Sequence, residues 1–374
     1  MITNIKRAAA TTIVILAVLA AFQARELVAQ AQQPAAPAAA AEAAGFRIVP
    51  VWFHVHSKFS GDDGSESTTN IAEWLKARGY MGVVLTPHSD GLSFPAFKAE
   101  AEAGNSHDFI VVTGREISTQ NDKEFTDLVM CHLNAISDSD DPPALDRKYR
   151  SELLPGLIKE LDAENAVYIW NHPWACKQWE QYSGMFKGIE LFNDIGVDYQ
   201  SGKNYNFNTG MYLSGLKRGE KQFVVSGIDM HTMLQATLGD FTTYIFPDEF
   251  NHDSLVSAIR NGYTVAAFNA KINSLNMRPS LAPVATAGNA FGIKGSVSLK
   301  MAGGPKPSIV IYKGGEKYMT QSPAILTRAS KSSKGYSQFE FSFGDKLAPG
   351  ESACYAFEIP HYMFSSPYCF EGGK

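Results

Sequence analysis

Six times between Ile48 and His231, a short apolar run ends in side chains of the metal-binding type. Ile48–Phe53 leads into His54 and His56, Met81–Leu85 into His88, and Phe109–Val112 through Gly114, read as a tight turn, to Glu116. Leu128–Met130 leads to His132, Ala166–Trp170 to His172, and Phe223–Val225 to Asp229 and His231. Runs rich in Val and Ile without polar alternation predict strands buried on both faces, which constrains the fold more than any other feature of the chain.

Helical stripes separate several of these runs. Ile71, Trp74, Leu75 and Arg78 recur at helical spacing before Gly79, Leu157, Ile158 and Leu161 follow Pro155, and Asp253–Asn261 stops at Gly262. Alternating strands and helices predict a parallel α/β sheet or barrel. An open sheet gathers its site at one switch point, whereas a barrel presents residues from the ends of many strands. Ligand-type side chains after six runs therefore favour a barrel. Beyond Lys271 the helical stripes disappear, and Gly, Pro, Ser and Thr separate Gly295–Met301, Ser308–Tyr312, Ser337–Phe343 and Cys354–Ile359. That segment predicts a small β-sandwich-like domain.

Lys6 and Arg7 precede an uncharged apolar run from Ala8 to Phe22, and Ala29-Gln30-Ala31 offers a small-x-small cleavage site. The pattern predicts an export signal over residues 1–31, then an Ala/Pro-rich linker over 32–45, a barrel domain over 46–271 and a β-rich domain over 272–374. Export implies a periplasmic or secreted protein whose contact with a membrane is confined to that signal, in a compartment where disulfides form. Cys354 and Cys369, on neighbouring β-type segments, are candidates for one, and Cys131 and Cys176 are not assigned as ligands. A net charge of −5 gives no electrostatic reason to expect a nucleic-acid partner.

Of nine histidines, six lie at strand ends; His107, His252 and His361 fall in loop or edge contexts and are expected to face solvent. One strand-end histidine is ordinarily structural. Six, joined by Glu116 and Asp229, predict a centre for zinc, manganese or iron, because imidazole and carboxylate together suit those ions.

The ordered segments from Phe53-His54-Val55-His56 through Gly64, Thr86-Pro87-His88, Gly114-Arg115-Glu116, Cys131-His132, Asn171-His172-Pro173 and Asp229-Met230-His231 resemble the PHP (polymerase and histidinol phosphatase) superfamily. The resemblance covers residues 46–270 and implies a distorted (β/α)7 barrel with two or three divalent ions. The segments 239–244 and 258–263, with Ser365-Ser366-Pro367, look like its secreted carbaryl-hydrolase-like (CehA/McbA) branch. Carried over, the resemblance implies one metal at His54, His56, Glu116 and Asp229. A second would take the shared Glu116 with His132 and His172, and a third His88, His231 and Asp63, or Asp62 in a register one residue shorter. Pro87 departs from the family, where an Asp usually precedes the histidine.

Such ions activate water near neutral pH and clamp a substrate's oxygens. The resemblance therefore implies a metal-dependent phosphoesterase acting on a small-molecule ester, with a carbamate or carboxylic ester hydrolase as the alternative. Asp229 and His231 are candidate proton carriers. A non-catalytic envelope binding protein is disfavoured because no ligand position has been lost. Arg115 and Lys177 are candidate contacts for a phosphate oxygen, each equally readable as a surface ion pair. Trp174 and Trp179 are candidate pocket walls, or core. Glu190 reads either as an outer partner of a ligand or as a structural hydrogen bonder.

Overall fold

The computed structural model describes residues 45–58, 64–88, 94–119, 131–137, 149–150, 154–193, 203–235, 239–286, 289–300, 307–321, 324–325 and 336–373. The export signal, the linker to Ala44, Asp62, Asp63 and Leu128–Met130 lie outside these residues. No described helix is long and apolar enough to cross a membrane.

Seven strands close into a barrel: β1 (Val49–Val55), β2 (Gly82–Leu85), β3 (Ile110–Thr119), β4 (His132–Ile136), β6 (Val167–Trp170), β7 (Gly188–Phe192) and β8 (Phe223–Met230), with β8 pairing back onto β1. All neighbours run parallel except at β4, which is antiparallel to both β3 and β6. A short β5 (Tyr149–Arg150) adds to β3 outside the ring. Around the barrel lie α1 (Thr68–Lys76), α2 (Phe94–Glu102), α3 (Leu154–Ala163) and α4 (Lys203–Lys217). The Ser67 side chain caps α1 by accepting from the Asn70 N–H at 3.2 Å, and Gly79, at φ +83°, supplies the left-handed turn beyond it. The predicted stripes are the buried faces: Ile71 and Leu75 in α1, and Leu157, Ile158 and Leu161 in α3.

Side-chain alternation sorts the strands into two layers. Val49, Val51, Phe53, Val84, Ile110, Val112, Val167, Ile169, Phe223 and Val225 fill the barrel interior. Trp52, Val83, Leu85, Val111, Tyr168 and Val224 face the outer helices. Helix α5 (His252–Arg260) contributes Leu255, Val256, Ala258 and Ile259 to the interior cluster, leaving polar residues to occupy the strands' C-terminal end.

Strand β1 also has a third neighbour. Its first half pairs with β9 (Phe241–Ile245) at Val49–Val51, and its second half with β8 at Phe53 and Val55. Through β9 the sheet continues to β10 (Thr264–Phe268) and, beyond Lys271, to β19 (Met363–Ser365), β18 (Ser352–Ile359), β20 (Tyr368–Gly372) and β12 (Ser280–Thr286). A second sheet of β11 (Ala270–Leu275), β13 (Ala290–Lys300), β16 (Ala324–Ile325) and β17 (Tyr336–Lys346) carries Ile293, Val297, Phe339, Phe341 and Phe343 into a shared core with Tyr355, Phe357 and Phe370. This is the sandwich-like element expected from the sequence. It is welded to the barrel: the Ser366 hydroxyl accepts from the Val224 N–H of β8 at 2.9 Å, and Phe364 and Ala356 join the barrel's outer core.

Cys354 and Cys369 sit directly opposite on β18 and β20 and form a disulfide. Cys131 and Cys176 form a second.

Candidate metal centre

Strand β1 begins with odd-numbered residues inward, a phase that would turn His54 and His56 outward. A bulge at His54 reverses it: the register with both neighbours shifts there, and His54 adopts φ +60°. Phe53 therefore faces the interior and Val55 the outer helices, while His54 and His56 both join the inner cluster. Asp229 of β8 (φ +50°) and His172 after β6 (φ +30°) are also left-handed. Of the seven described non-glycine residues with positive φ, three are asparagines, which tolerate it; three of the other four are these predicted ligands. Such conformations cost about 1–3 kcal/mol and gather where a site needs a particular geometry.

Glu116 stands at the centre. Its Oε1 lies 2.9 Å from His132 Nδ1, 3.1 Å from His54 Nε2 and 3.4 Å from His172 Nε2. Its Oε2 lies 3.2 Å from His56 Nε2 and 3.1 Å from His88 Nε2. Asp229 Oδ1 is 3.1 Å from His56 Nε2, 3.4 Å from His54 Nε2 and 3.6 Å from His231 Nδ1. The His231 ring stacks on His56 with centroids 4.1 Å apart. His54, His56, His172, Glu116 and Asp229 are buried, whereas the His231 side chain is 25% exposed and marks the solvent side.

Eight of the nine predicted ligands thus converge. Ligand-type atoms cluster as His54–His56–Glu116–Asp229, as His88–Glu116–His132, and as His56–His88–His231. The first is the set the resemblance implied. In the others, His88 stands with His132 and His56 with His231, while His172 Nε2 lies 3.4 Å from Glu116 Oε1 and 4.0 Å from Asp229 Oδ2. The ninth, Asp63, and its alternative Asp62 lie outside the described residues; Gly64, which follows, abuts the His56 and Ser57 backbone, and the Ser65 N–H bonds the His231 carbonyl at 2.8 Å.

The donor set fits divalent ions. His54 Nε2, His172 Nε2 and both Asp229 oxygens are buried without hydrogen-bond geometry despite their close neighbours, so they converge on shared space rather than on one another. Leaving such atoms buried and unsatisfied is costly. His231 Nδ1 lies 2.9 Å from its acceptor, the Asp229 carbonyl oxygen, so Nδ1 carries the proton and Nε2 the lone pair.

Electrostatics agree. Burial opposes charge on His54, yet Asp229, Glu116 and Glu190 raise its pKa well above 6.5. Burial pushes Glu116 up, but His132, His54 and His88 hold it well below the usual carboxylate range. For Asp229, burial is likewise overcome, by His54 and His56, which bring it to about 2.

Three expectations are corrected. Gly114 is not in a turn but inside β3, where a Cβ would lie 2.5 Å from the Ala135 carbonyl of β4; glycine permits that close pairing. His132 does not end a strand: it begins β4, and because β4 runs backwards its start lies at the barrel end where the other strands finish. Arg115 does not face the site. Alternation along β3 sends Glu116 inward and Arg115 outward, fully buried, with its guanidinium 5.1 Å from the Phe97 ring. Of the two readings of Trp179, the structure takes the core one, with the ring packed on Phe186. Lys177 is exposed with its Nζ 5.2 Å from the Phe207 ring, and Trp174 is half-buried in the turn Pro173–Ala175.

Asn171 went unassigned in the sequence, although it adjoins His172. Its amide donates to Glu116 Oε1 at 2.8 Å, and its Oδ1 accepts from the Asn134 N–H at 3.1 Å, fixing the carboxylate.

No family model matches the chain, and no curated protein matches it. Among solved structures, it is similar to a two-domain protein containing a predicted PHP-like metal-dependent phosphoesterase from Bacteroides vulgatus. The two are 16% identical over 91% of this chain and 97% of the other, with a TM-score of 0.45.

Proposed function

We propose that this protein is a metal-dependent hydrolase of the PHP superfamily that acts on phosphate esters of small molecules and works outside the cytoplasm. One observation carries the reading: six histidines and two carboxylates from different barrel strands converge, with buried ligand atoms aimed at shared space. When bound, divalent ions supply Lewis acidity, lowering the pKa of water and drawing charge from the ester oxygen. His54, His56, Glu116 and Asp229 would hold one ion, with His88, His132, His172, His231 and Asp63 completing the others. Asn171 keeps Glu116 oriented. His231, on the solvent side, has Nε2 as its one lone-pair atom, so it serves either as a ligand there or, where it holds no ion, as a proton carrier. The two disulfides support the extracytoplasmic part of the reading.

Arg115 favours a second reading. With its guanidinium turned to the outer layer, it cannot meet a phosphate oxygen, as a neutral carbamate or carboxylic ester would not require. One experiment separates the alternatives: metal analysis of the purified protein, followed by aryl phosphate, carbamate and carboxylate panels before and after chelation. The proposal expects phosphate ester turnover that vanishes on chelation and returns with zinc, manganese or iron. Turnover that survives verified metal removal refutes the metal-dependent mechanism, and turnover of carbamates or carboxylates alone moves the assignment to the second reading.

A further inference from the structure

We infer that Glu190 is a positioning residue of this centre, holding the His54 ring and the His172 turn with one carboxylate, and that Gly227 is glycine to admit it. The inference rests on the metal-centre reading above.

Glu190 lies in β7, fully buried. Its Oε1 accepts from His54 Nδ1 at 3.0 Å. Its Oε2 accepts from the His172 backbone N–H at 2.7 Å and from Asn193 Nδ2 at 2.6 Å. The two segments it joins are both held at positive φ. The His54 contact selects the ligand atom: with Nδ1 donating to Glu190, Nε2, 3.1 Å from Glu116 Oε1 and 3.4 Å from Asp229 Oδ1, is the nitrogen left to bind an ion beside those carboxylates. A carboxylate behind a ligand imidazole both orients the ring and raises its basicity. The second oxygen sets the turn that delivers His172, so one side chain serves histidines from two strands.

The surroundings are built for this arrangement. A Cβ on Gly227 of β8 would lie 1.6 Å from Glu190 Oε1, so any larger residue expels the carboxylate from its place beside His54. From α4, Asn208 Nδ2 donates to the Glu190 carbonyl at 3.3 Å and the Leu191 carbonyl at 3.1 Å, while its Oδ1 accepts from the Trp174 N–H at 3.1 Å. The end of β7 and the turn after His172 are thereby locked together. Burying a carboxylate is costly, and a merely structural site would be filled at lower cost by a neutral acceptor.

The test uses the full-length protein with Glu190→Gln, Gly227→Ala and the double variant. Rotated either way, the glutamine amide nitrogen faces a donor: the His54 ring N–H, or the His172 and Asn193 N–H groups. Zinc affinity is measured by chelator competition, the cobalt(II) absorption spectrum reports ligand geometry, and circular dichroism and Tm report folding. Both single variants should bind zinc about 10- to 100-fold more weakly with an altered cobalt spectrum. The double variant should be no worse than the weaker single one, because both act through one contact. A lowered Tm with wild-type zinc affinity and cobalt spectrum would show a structural role and overturn the inference. Should neither variant fold, histidine 15N NMR of the zinc-loaded wild type decides: a proton on His54 Nδ1 supports the inference, and one on Nε2 overturns it. Absence of zinc binding by the wild type would instead overturn the metal-centre reading itself.

Discussion

The Cys131–Cys176 disulfide closes a loop with a sequence separation of 45, against 15 for Cys354–Cys369. A cross-link stabilises chiefly by restricting the unfolded chain, and the loop-entropy relation gives about 4 kcal/mol for the longer loop and about 3 kcal/mol for the shorter. Unfolding entropy of about 2.1 cal/mol/K per residue over the roughly 330 residues beyond the expected signal and linker gives ~0.7 kcal/mol/K, so losing the longer cross-link should lower Tm by ~6 °C. Its placement gives the loss a second readout. Cys131 immediately precedes His132, and Cys176 closes the turn that follows His172. The two histidine rings stand 5.3 Å apart. The perturbation is Cys131→Ala with Cys176→Ala, beside Cys354→Ala with Cys369→Ala, each followed by urea and thermal unfolding. Metal affinity is measured on the folded forms. Because the cross-link acts mainly on the unfolded chain while Glu116 and Asn171 still orient the site, the first variant should lose the more stability yet keep metal affinity within about tenfold. A loss below about 1 kcal/mol, or a larger loss from the shorter loop, would refute the loop-entropy argument.

Glu116 touches five histidine nitrogens within 3.4 Å, so Glu116→Gln should weaken more than one metal position while His88→Ala costs one, read as metal per chain. At ~4 Å and an effective dielectric of ~20, a unit charge pair is worth about 4 kcal/mol; the amide dipole returns part, leaving a loss on the order of 100-fold in affinity. Unchanged metal content in Glu116→Gln removes its central role. Chelated protein should be most stable between about pH 4 and pH 6.5. The carboxylates of Glu116 and Asp229 contribute above their unfolded pKa values and lose that contribution as pH falls through the depressed folded ones, near 2 for Asp229. His54, raised when folded, contributes fully below about 6.5 and loses that contribution as pH rises through its folded pKa. A Tm that climbs steadily from pH 6 to 9 after chelation would contradict that assignment.

Much of this architecture is written locally. Buried strands announce themselves as Val- and Ile-rich runs, helices as stripes, and the ligand types follow the runs because barrel chemistry sits at strand ends. Even the direction of Arg115 was readable: Ile110 and Val112 face inward, so alternation carries Glu116 inward and Arg115 out. Other features depend on which strands become neighbours. The bulge that turns His54 inward falls where β1 passes from β9 to β8 as its neighbour, a change of partner that no local pattern records. The reversal of β4 follows from pairing, and it brings His132 to the site from the start of a strand instead of its end. Residues 131 and 176, or 54 and 190, become partners only when the barrel closes, since nothing in their spacing encodes proximity. Periodicity and side-chain chemistry are properties of a segment and survive in the sequence; contacts across the barrel are properties of its closure, and only the tertiary structure decides them.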